Sequence, residues 1–446
     1  MEKRRIHLST AQFILLGFVG VIIIGGLFLM LPCSTRSGEG ASFLDSLFTA
    51  TSAVCVTGLV VQDTATYWSD FGQAVILFLI QIGGMGIVTI AVAFATMSGR
   101  KIGLMQRTVM QEAISAPKLE GIVRLTRFII KMAFVIELTG AVLMYPVFAV
   151  KMGALKGIWY SIFHSISAFC NGGFDLMGIN EKYSSFTSFS GNIVINLVIV
   201  LLILLGGIGF MTWDDIRTHK FKFSKYRMQS KVILSATIGL IVIPFVYFYF
   251  CEFSGAKWHM SGADRALASL FQTVTPRTAG FNTVDLTKIS GAGQLIMIVL
   301  MMVGGATGST AGGMKITTIA VLLASSISVF RRKSSPHLFR RRIAEEVIKS
   351  AAAILLLYSF LFLMGGIIIC AVDGFNIIDT LFESASAVCT VGVTLGITPH
   401  TGVISRIVLI VLMLFGRVGG LTVIFATVSS KRKDVAKFPE EKIMVG

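Results

Sequence analysis

Long apolar runs constrain this chain more than any other feature of its sequence. Each run holds about 20 or more mainly apolar residues, the length needed to cross the roughly 30 Å hydrocarbon core of a bilayer. The runs cover residues 11–31, 72–96, 128–150, 192–213, 232–251, 292–330 (interrupted), 350–372 and 402–428. Only 14% of the residues are charged, against about 25% in soluble domains. We therefore expect eight membrane-spanning helices, the first of them too long to be a signal-peptide core.

Four shorter apolar segments, rich in Ser and Thr, lie between pairs of these runs. They cover residues 43–55, 158–170, 264–276 and 377–389. They are too short to cross a bilayer and have no basic flanks, which is typical of re-entrant half-helices. Asp45, Asp264 and Asp379 are expected to cap free amides where three of them begin, and His164 is expected to make a structural hydrogen bond.

The distribution of charge predicts the orientation. Residues 1–10, 97–131, 214–231, 331–349 and 429–446 hold 28 of the 39 Lys and Arg residues but 10 of the 23 Asp and Glu residues. Basic residues collect on the cytoplasmic side, so these segments and both termini are predicted to be cytoplasmic in a multi-pass protein of the plasma (inner) membrane. The net charge of +16 is then mostly a topology signal. It argues against a nucleic-acid partner and leaves anionic membrane lipid or an acidic cytosolic protein.

A pattern of four similar units covers the chain. Each half-helix is followed by a short segment that ends in Gly, at positions 58, 173, 280 and 392. The predicted units are 1–100, 101–220, 221–335 and 336–430, followed by a cytoplasmic tail, 431–446. The predicted fold is an all-α membrane protein with four helix–pore-helix–helix repeats around one central pore, comprising eight transmembrane helices and four re-entrant half-helices.

The four Gly-containing segments are the candidate ion filter. Their residues are Val56, Thr57 and Gly58; Asn171, Gly172 and Gly173; Thr278, Ala279 and Gly280; and Thr390, Val391 and Gly392. Irregular backbone at membrane depth is tolerated where it lines a cavity, and Gly allows successive carbonyls to face a common axis and replace an ion's hydration shell. The half-helices would point their negative C-terminal ends at the same axis. The pattern therefore predicts a cation pathway.

The second long run of each unit carries a Gly pair or its remnant. These are Gly83-Gly84, Gly206-Gly207, Gly304-Gly305 and Gly416-Arg417. Close helix packing is the favoured interpretation of the pairs. Arg417 lies in mid-span, where a charge is expected to face the bundle interior or a water-filled cavity. A cation there would form a barrier below a cation filter, and pairing with the buried acid Glu137 is the alternative.

The sixth run is interrupted by residues 304–315, of which five are Gly. Because Gly costs about 1 kcal/mol in a helix relative to Ala, this stretch is predicted to unwind into a loop that can obstruct the filter. A kink filled by neighbouring helices is the alternative. A phosphate-binding loop is rejected, because no Lys directly follows the second Gly as that motif requires. Lys315 either acts like Arg417 or extends its amine to the cytoplasmic face.

Together these motifs resemble the membrane subunits of bacterial Ktr-type potassium uptake systems in the Trk/Ktr/HKT superfamily. Gly at all four filter positions is similar to the potassium-preferring members. The resemblance implies potassium uptake, potassium bound in the filter, sodium as an activator, and Arg417 as a pore barrier. It implies an intramembrane gate formed by Gly304, Gly305, Thr307, Gly308, Ser309, Thr310, Gly312, Gly313 and Lys315. It also implies a homodimer on a cytosolic ring of nucleotide-binding regulatory subunits of the RCK/KTN type. The third unit departs from the others, with Arg277 in place of Cys.

The sequence contains no pattern that indicates an enzyme. It has no ATP-binding motif, no metal-ligand spacing and no redox motif among its six Cys residues, so no covalent cofactor is expected. A secondary carrier for a cation or small solute with a midplane site is the alternative function, since carriers also use broken helices. Carriers usually show two repeats, and this sequence shows four. A structural or receptor-like membrane protein would not need a Gly-containing filter in each unit.

Overall fold

The computed structural model describes residues 9–91, 103–114, 120–179, 181–333 and 335–427. Within them most of the chain is helical and only four residues lie in strands, as predicted for an all-α membrane protein. The predicted cytoplasmic tail, 431–446, lies outside the described residues, as does most of the basic segment 1–10.

The helices of the described ranges recur in the order long, short, interrupted. In chain order they are α1 (Thr10–Leu29), α2 (Phe43–Val54), α3 (Asp70–Met85), α4 (Leu104–Ile114), α5 (Ile122–Met152), α6 (Ala154–Phe169), α7 (Ile193–Gly207), α8 (Phe210–His219), α9 (Met228–Tyr247), α10 (Gly262–Val274), α11 (Gly291–Met301), α12 (Ile316–Phe330), α13 (Glu345–Asp373), α14 (Ile377–Val388), α15 (Val403–Val418) and α16 (Gly420–Thr427). Two short strands, β1 (His337–Leu338) and β2 (Arg341–Arg342), form an antiparallel hairpin between α12 and α13.

The first long helix of each unit is α1, α5, α9 or α13. Each is long and apolar enough to cross a bilayer by itself. For α9, the spanning length includes the π-helical turn Phe248–Glu252 that continues it. Between 22% and 33% of the most apolar part of each helix is buried against the rest of the protein. The remaining apolar surface therefore faces outward, as expected of helices in contact with lipid.

The four short helices, α2, α6, α10 and α14, match the predicted half-helices within a few residues. The expectation that Asp residues cap them is wrong, because the caps are the residues before the helices. Ser42 and Ser261 accept hydrogen bonds from the amides of Asp45 and Asp264, and Asn376 accepts one from Ile378. The Asp residues lie in the first turn instead, where a negative charge is favourable at a helix N-terminus.

The second long helix of every unit is broken, whereas the sequence predicted a break only in the third. Gly86, Gly209 and Gly419 have φ of +84°, +89° and +93°, a conformation that suits Gly, and they lie at the breaks that follow α3, α7 and α15. At Gly209 the break turns the helix sharply, and α8 lies at 96° to α7. In the third unit the break is longer, and residues 302–315 separate α11 from α12.

Contacts between units close the helices into a ring. In each case the second helix of one unit packs against the short helix of the next. The contacting pairs are α3 with α6, α7 with α10, α11 with α14, and α15 with α2. Because the last unit packs against the first, all four short helices lie around one common centre.

Candidate ion filter and gate

The backbone of the four predicted filter segments alternates in the same way. The first residue of each triplet has a positive φ, at Val56 (+49°), Asn171 (+58°), Thr278 (+69°) and Thr390 (+50°). The third residue also has a positive φ, at Gly58 (+91°), Gly173 (+69°), Gly280 (+87°) and Gly392 (+94°). The left-handed conformation costs a β-branched residue about 1–2 kcal/mol. Val56, Thr278 and Thr390 carry this strain, whereas Asn171 tolerates the conformation. The same conformation at equivalent positions in four segments indicates a function, because packing alone would not require it.

The four glycines form a closed ring. A methyl group on Gly58 would lie 2.7 Å from Cα of Gly173, and one on Gly280 would also lie 2.7 Å from Cα of Gly173. One on Gly392 would lie 3.0 Å from Cα of Gly58. Each hypothetical methyl group also meets the carbonyl of the next unit's middle residue, in the pairs Gly58 with Gly172, Gly173 with Ala279, Gly280 with Val391, and Gly392 with Thr57. Only Gly fits, and the ring combines four glycines with four carbonyls.

A Ser six residues before the ring Gly anchors the filter in three units. Its carbonyl accepts the amide of the middle filter residue, with N–O distances of 2.8 Å at Thr57, 2.7 Å at Gly172 and 2.8 Å at Val391. The hydroxyls of Ser52 and Ser386 accept the amides of Gly58 at 3.1 Å and Gly392 at 2.9 Å. The hydroxyl of Ser167 donates to the carbonyl of Phe174 at 2.7 Å.

The third unit is anchored differently. Val274 occupies the position of the Ser, and the amide of Ala279 bonds to the carbonyl of Thr275 at 3.0 Å instead. The hydroxyl of Thr275 donates to the carbonyl of Phe281. Arg277 is buried and directs one guanidinium nitrogen to the hydroxyl of Thr237 on α9, at 3.2 Å. The third unit therefore differs from the others in how its filter segment is anchored, and its Gly280 still belongs to the four-membered ring.

The Gly pairs bring the second helices into contact with the ends of the short helices. A methyl group on the first Gly would collide with the last carbonyl of a short helix, in the pairs Gly83 with Val54, Gly206 with Phe169, and Gly416 with Val388. This geometry supports the packing interpretation of the pairs. Gly304 differs, since a methyl group there would meet the carbonyls of Gly312 and Met314, both at 2.8 Å.

The loop between α11 and α12 lies against the first residues of the filter segments, at the predicted inner end of the filter. The hydroxyl of Thr310 is 3.0 Å from both the carbonyl of Phe169 and the side-chain oxygen of Asn171. A methyl group on Gly312 would collide with the side chain of Thr390, the first filter residue of the fourth unit. The loop also bonds to two of the helix breaks, through Ala306 N to Gly207 O at 2.9 Å and Gly313 N to Gly416 O at 3.0 Å. It thus extends across the filter from the second unit to the fourth.

Arg417 contacts backbone carbonyls and no acid among the described residues. Its guanidinium donates to the carbonyls of Thr310 in the loop and of Gly83 and Gly84 in the first unit. Glu137 instead accepts hydrogen bonds from the amide of Gln81, at 3.0 and 3.2 Å. The alternative pairing of Arg417 with Glu137 is therefore not found. Arg417 joins the first, third and fourth units below the ring.

Lys315 caps the end of the same loop. Its amine donates to the carbonyls of Ala311 at 2.8 Å and Gly312 at 3.2 Å, just before α12 begins. Like Arg417, Lys315 therefore places a positive charge on carbonyls of the loop, and it does not extend away from the loop. The nine predicted gate residues consequently belong to one compact, hydrogen-bonded structure.

Two polar residues on the short helices hold the chain segments that leave the filter. His164 Nε2 accepts the amide of Leu176 at 3.0 Å, so its Nδ1 carries the hydrogen that is donated to the carbonyl of Tyr160. This confirms the structural hydrogen bond expected for His164. Glu383, fully buried, accepts hydrogen bonds from the hydroxyls of Thr394, at 2.7 Å, and Thr398. Glu383 was not predicted from the sequence, although it lies nine residues before the ring Gly, as His164 does.

Charged groups on the predicted outer side form a separate layer. Asp45 in α2 and Arg406 in α15 form an ion pair at 2.7 Å that joins the first and last units. Asp63 accepts the amide of Tyr183 from the second unit at 3.0 Å. Asp175 lies two residues after Gly173, in the predicted outer loop. Burial and the nearby Asp63 raise the pKa of its carboxyl to about 6, although the hydrogen bond from the amide of Met177 lowers it. Among the described residues, no group of three His, Cys, Asp or Glu side chains could hold a metal ion.

A closed ring of four short helices, each leading into a strained segment at one centre and enclosed by apolar helices, defines a multi-pass membrane protein of the ion-transport class. The chain matches the TrkH family, described as cation transport protein, over residues 22–434. It belongs to this family.

Two relatives of known name and one solved structure are similar over nearly the whole chain. The chain is 39% identical to the potassium/sodium uptake protein NtpJ of Enterococcus hirae, covering 100% of this chain and 99% of that protein. It is 36% identical to the Ktr system potassium uptake protein B of Bacillus subtilis, covering 99% and 98%. The crystal structure of the potassium transporter TrkH from Vibrio parahaemolyticus has a TM-score of 0.74 at 21% identity, covering 96% of this chain and 86% of that one. This last likeness concerns the fold.

Proposed function

We propose that this cation transport protein takes up potassium across the plasma membrane through the ring of Gly58, Gly173, Gly280 and Gly392. The observation that carries the proposal is the closure of that ring, in which each glycine contacts the next unit's backbone. The names of the relatives support potassium as the ion, since NtpJ and the Ktr protein B are both uptake proteins for it. Potassium is the bound substrate, and no covalent cofactor is involved.

The filter would act through its backbone carbonyls. The positive φ values at the first and third residues would turn successive carbonyls toward the centre, where they could replace the water around a potassium ion. The short helices end just before the filter, so their negative ends add a favourable potential for a cation. The Ser and Thr anchors keep the ring at a fixed width.

The loop at 304–315 would be the gate, in the position seen here a closed one. It bonds to the inner end of the filter through Thr310 and packs against Thr390, so an ion leaving the filter meets it directly. Arg417 lies beside the loop and adds a positive charge at the same level, which opposes the passage of a cation. Opening requires the loop to release these contacts.

The force that opens the gate would come from outside the chain. We propose a homodimer with cytoplasmic termini, standing on a cytosolic ring of nucleotide-binding subunits of the RCK/KTN type, with sodium as an activator. The support is the family and the name of the Bacillus subtilis relative, which describes a protein of a Ktr system. The excess of basic residues in the predicted cytoplasmic segments favours an acidic partner on that side.

Ion uptake by purified protein in liposomes tests the filter. Potassium should enter far faster than a large organic cation, and Gly58→Ser should abolish the difference, because the added side chain meets Gly172 and Gly173. Gly239→Ser is the matched control, since nothing lies within 4 Å of Gly239. Equal uptake of potassium and N-methyl-glucamine by the unmodified protein would refute the proposal.

A second experiment tests the gate. Thr310→Val removes the loop's bond to the filter and should raise basal potassium flux, as should deletion of 304–315 if the protein still folds. Ser326→Ala is the control, because its hydroxyl bonds within α12. Unchanged flux in the folded Thr310→Val protein would contradict the gate.

The same liposomes separate the channel-like pathway from the alternative, a carrier with a midplane site. A carrier must rearrange for each ion, so its flux saturates at low potassium and shows countertransport of labelled potassium. The observation against a carrier is the ring with four equivalent members, since carriers usually show two repeats.

A further inference from the structure

A cavity of about 680 Å³ lies away from the filter, between the start of α5 and the helix α8. α8 turns by 96° from the apolar helix α7, so it runs across the end of the bundle. All the residues around the cavity except Met211 belong to the segments 97–131 and 214–231, which are predicted to be cytoplasmic. The cavity thus lies where the helices leave the predicted inner surface of the membrane.

Arginines dominate the polar lining of this cavity. Arg227 is neutralised by Asp214 at 2.9 Å and Asp215 at 3.4 Å. Arg124 and Arg217 also line the cavity, and neither has an acidic partner among the described residues. Arg217 lies over the ring of Phe128, its guanidinium carbon 4.7 Å from the ring centre. Two arginine side chains are therefore free to bind an anion.

Neighbouring groups also favour the binding of an anion in this cavity. Gly121, the residue before α5, has no side chain to cap the free amides of the first turn, and free amides at a helix N-terminus favour an anion. Arg107 and Arg127 line an adjoining cavity of about 440 Å³ that shares Arg124. Glu120 is the acid common to both cavities, and Asp214 is already paired with Arg227.

Apart from Thr218, the rest of the lining is apolar and comes from Ile122, Leu125, Phe128 and Met211. A lipid presents both chemistries, since its phosphate can bind the arginines while its glycerol and upper acyl chains contact the apolar residues. An acidic protein surface would match the charge but would leave these apolar residues without contacts. We propose that this cavity binds the phosphate headgroup of an anionic phospholipid of the inner leaflet.

The site is connected to the proposed gate by short contacts. The amide of Phe210, the first residue of α8, donates to the carbonyl of Gly308 at 2.7 Å. Asp215 in α8 accepts the amide of Arg227 at 3.0 Å and the hydroxyl of Ser230 at 2.6 Å, which fixes α8 to the start of α9. Gln229 in α9 donates to the hydroxyl of Thr307. A lipid held between α5 and α8 therefore restrains two elements that hold the loop, and this regulatory consequence rests on the proposed function.

Binding is measured first, because it does not depend on transport. The purified full-length protein is exchanged into nanodiscs of phosphatidylcholine with 10% phosphatidylglycerol, and retained phosphatidylglycerol is counted by native mass spectrometry. The double variant Arg124→Gln/Arg217→Gln should retain about tenfold less. The control Lys222→Gln/Lys225→Gln removes two exposed charges that do not line the cavity. Equal retention by the unmodified protein and the arginine variant would overturn the proposal.

Two further arms identify the source of the phosphate. Soluble glycerol phosphate at millimolar concentration should not displace the lipid. Displacement by glycerol phosphate or by inorganic phosphate would show that the site binds a free anion and would overturn the proposal of a lipid site. In liposomes, replacing phosphatidylcholine by phosphatidylglycerol should change potassium flux at least threefold for the unmodified protein and the lysine control, and by less for the arginine variant. Retention without this difference would leave a lipid site and overturn its coupling to the gate.

Discussion

The third unit of this protein differs from the other three in both parts of the candidate pathway. In the filter, Thr275 replaces the Ser anchor and Arg277 replaces a Cys, yet Gly280 takes its place in the ring as the other glycines do. In the second helix, a loop of 14 residues, 302–315, replaces the single-Gly breaks at Gly86, Gly209 and Gly419.

The difference indicates which features the pathway needs four times and which it needs once. The strained triplet and its Gly recur in every unit, because a ring closes only if each member contacts the next. The anchoring residue can vary, since its hydrogen bonds hold only its own filter segment and do not form part of the ring. A gate needs to cross the centre only once, and the long loop is found in one unit. The exceptions of the third unit therefore leave the ring intact.

The largest expected effect comes from the ring of the third unit. Gly280→Ala should reduce potassium uptake about a hundredfold, as much as Gly58→Ala does, because a methyl group there would lie 2.7 Å from the carbonyl of Val391. It also places Ala at a φ of +87°, which Ala rarely adopts. The measurement is potassium uptake by folded protein in liposomes. Normal uptake by Gly280→Ala alone would show that three units suffice for the filter.

The second prediction concerns the long loop of the third unit, which Arg417 contacts. Arg417→Gln should raise basal potassium flux roughly tenfold, equivalent to about 1.4 kcal/mol, since it removes a positive charge below a cation filter. Arg417→Lys keeps the charge and should stay near the original flux, although it loses hydrogen bonds to Gly83 and Gly84. Equal flux in both variants would mean that the hydrogen bonds, and not the charge, determine the barrier.

The anchors should give smaller effects. Ser52→Ala and Ser386→Ala each remove a hydrogen bond to a ring Gly, worth about 1 kcal/mol, and should lower the ratio of potassium to sodium uptake roughly fivefold. Thr275→Val should do the same in the third unit, whereas Val274→Ser should have little effect because the anchor there is Thr275. An effect of Val274→Ser as large as that of Ser52→Ala would show that the third unit is not anchored differently.

Much of the half-helix arrangement could be predicted from sequence, because length, apolar content and the recurring Gly are local signals. The short helices and the long break at 304–315 follow from them. The single-residue breaks at Gly86, Gly209 and Gly419 do not, since one Gly hardly changes the hydropathy of a 20-residue window. The partners of Arg417 could not be predicted either, because backbone carbonyls leave no signature in the side-chain sequence.

The smallest expected effect concerns the outer loop, where the second unit alone carries a carboxylate two residues after the ring Gly. Asp175 stands where the other units have Val60, Asn282 and Thr394. Burial and the nearby Asp63 raise its pKa to about 6, so the carboxyl is neutral below that pH and negative above it. Potassium uptake from dilute solution should therefore rise by about twofold between pH 5 and 7, since a negative charge near the entrance attracts cations. Asp175→Asn should remove this rise, while Asp285→Asn, in another outer loop, should keep it. If Asp175→Asn retains the full pH dependence, the asymmetry of the second unit has no part in ion entry.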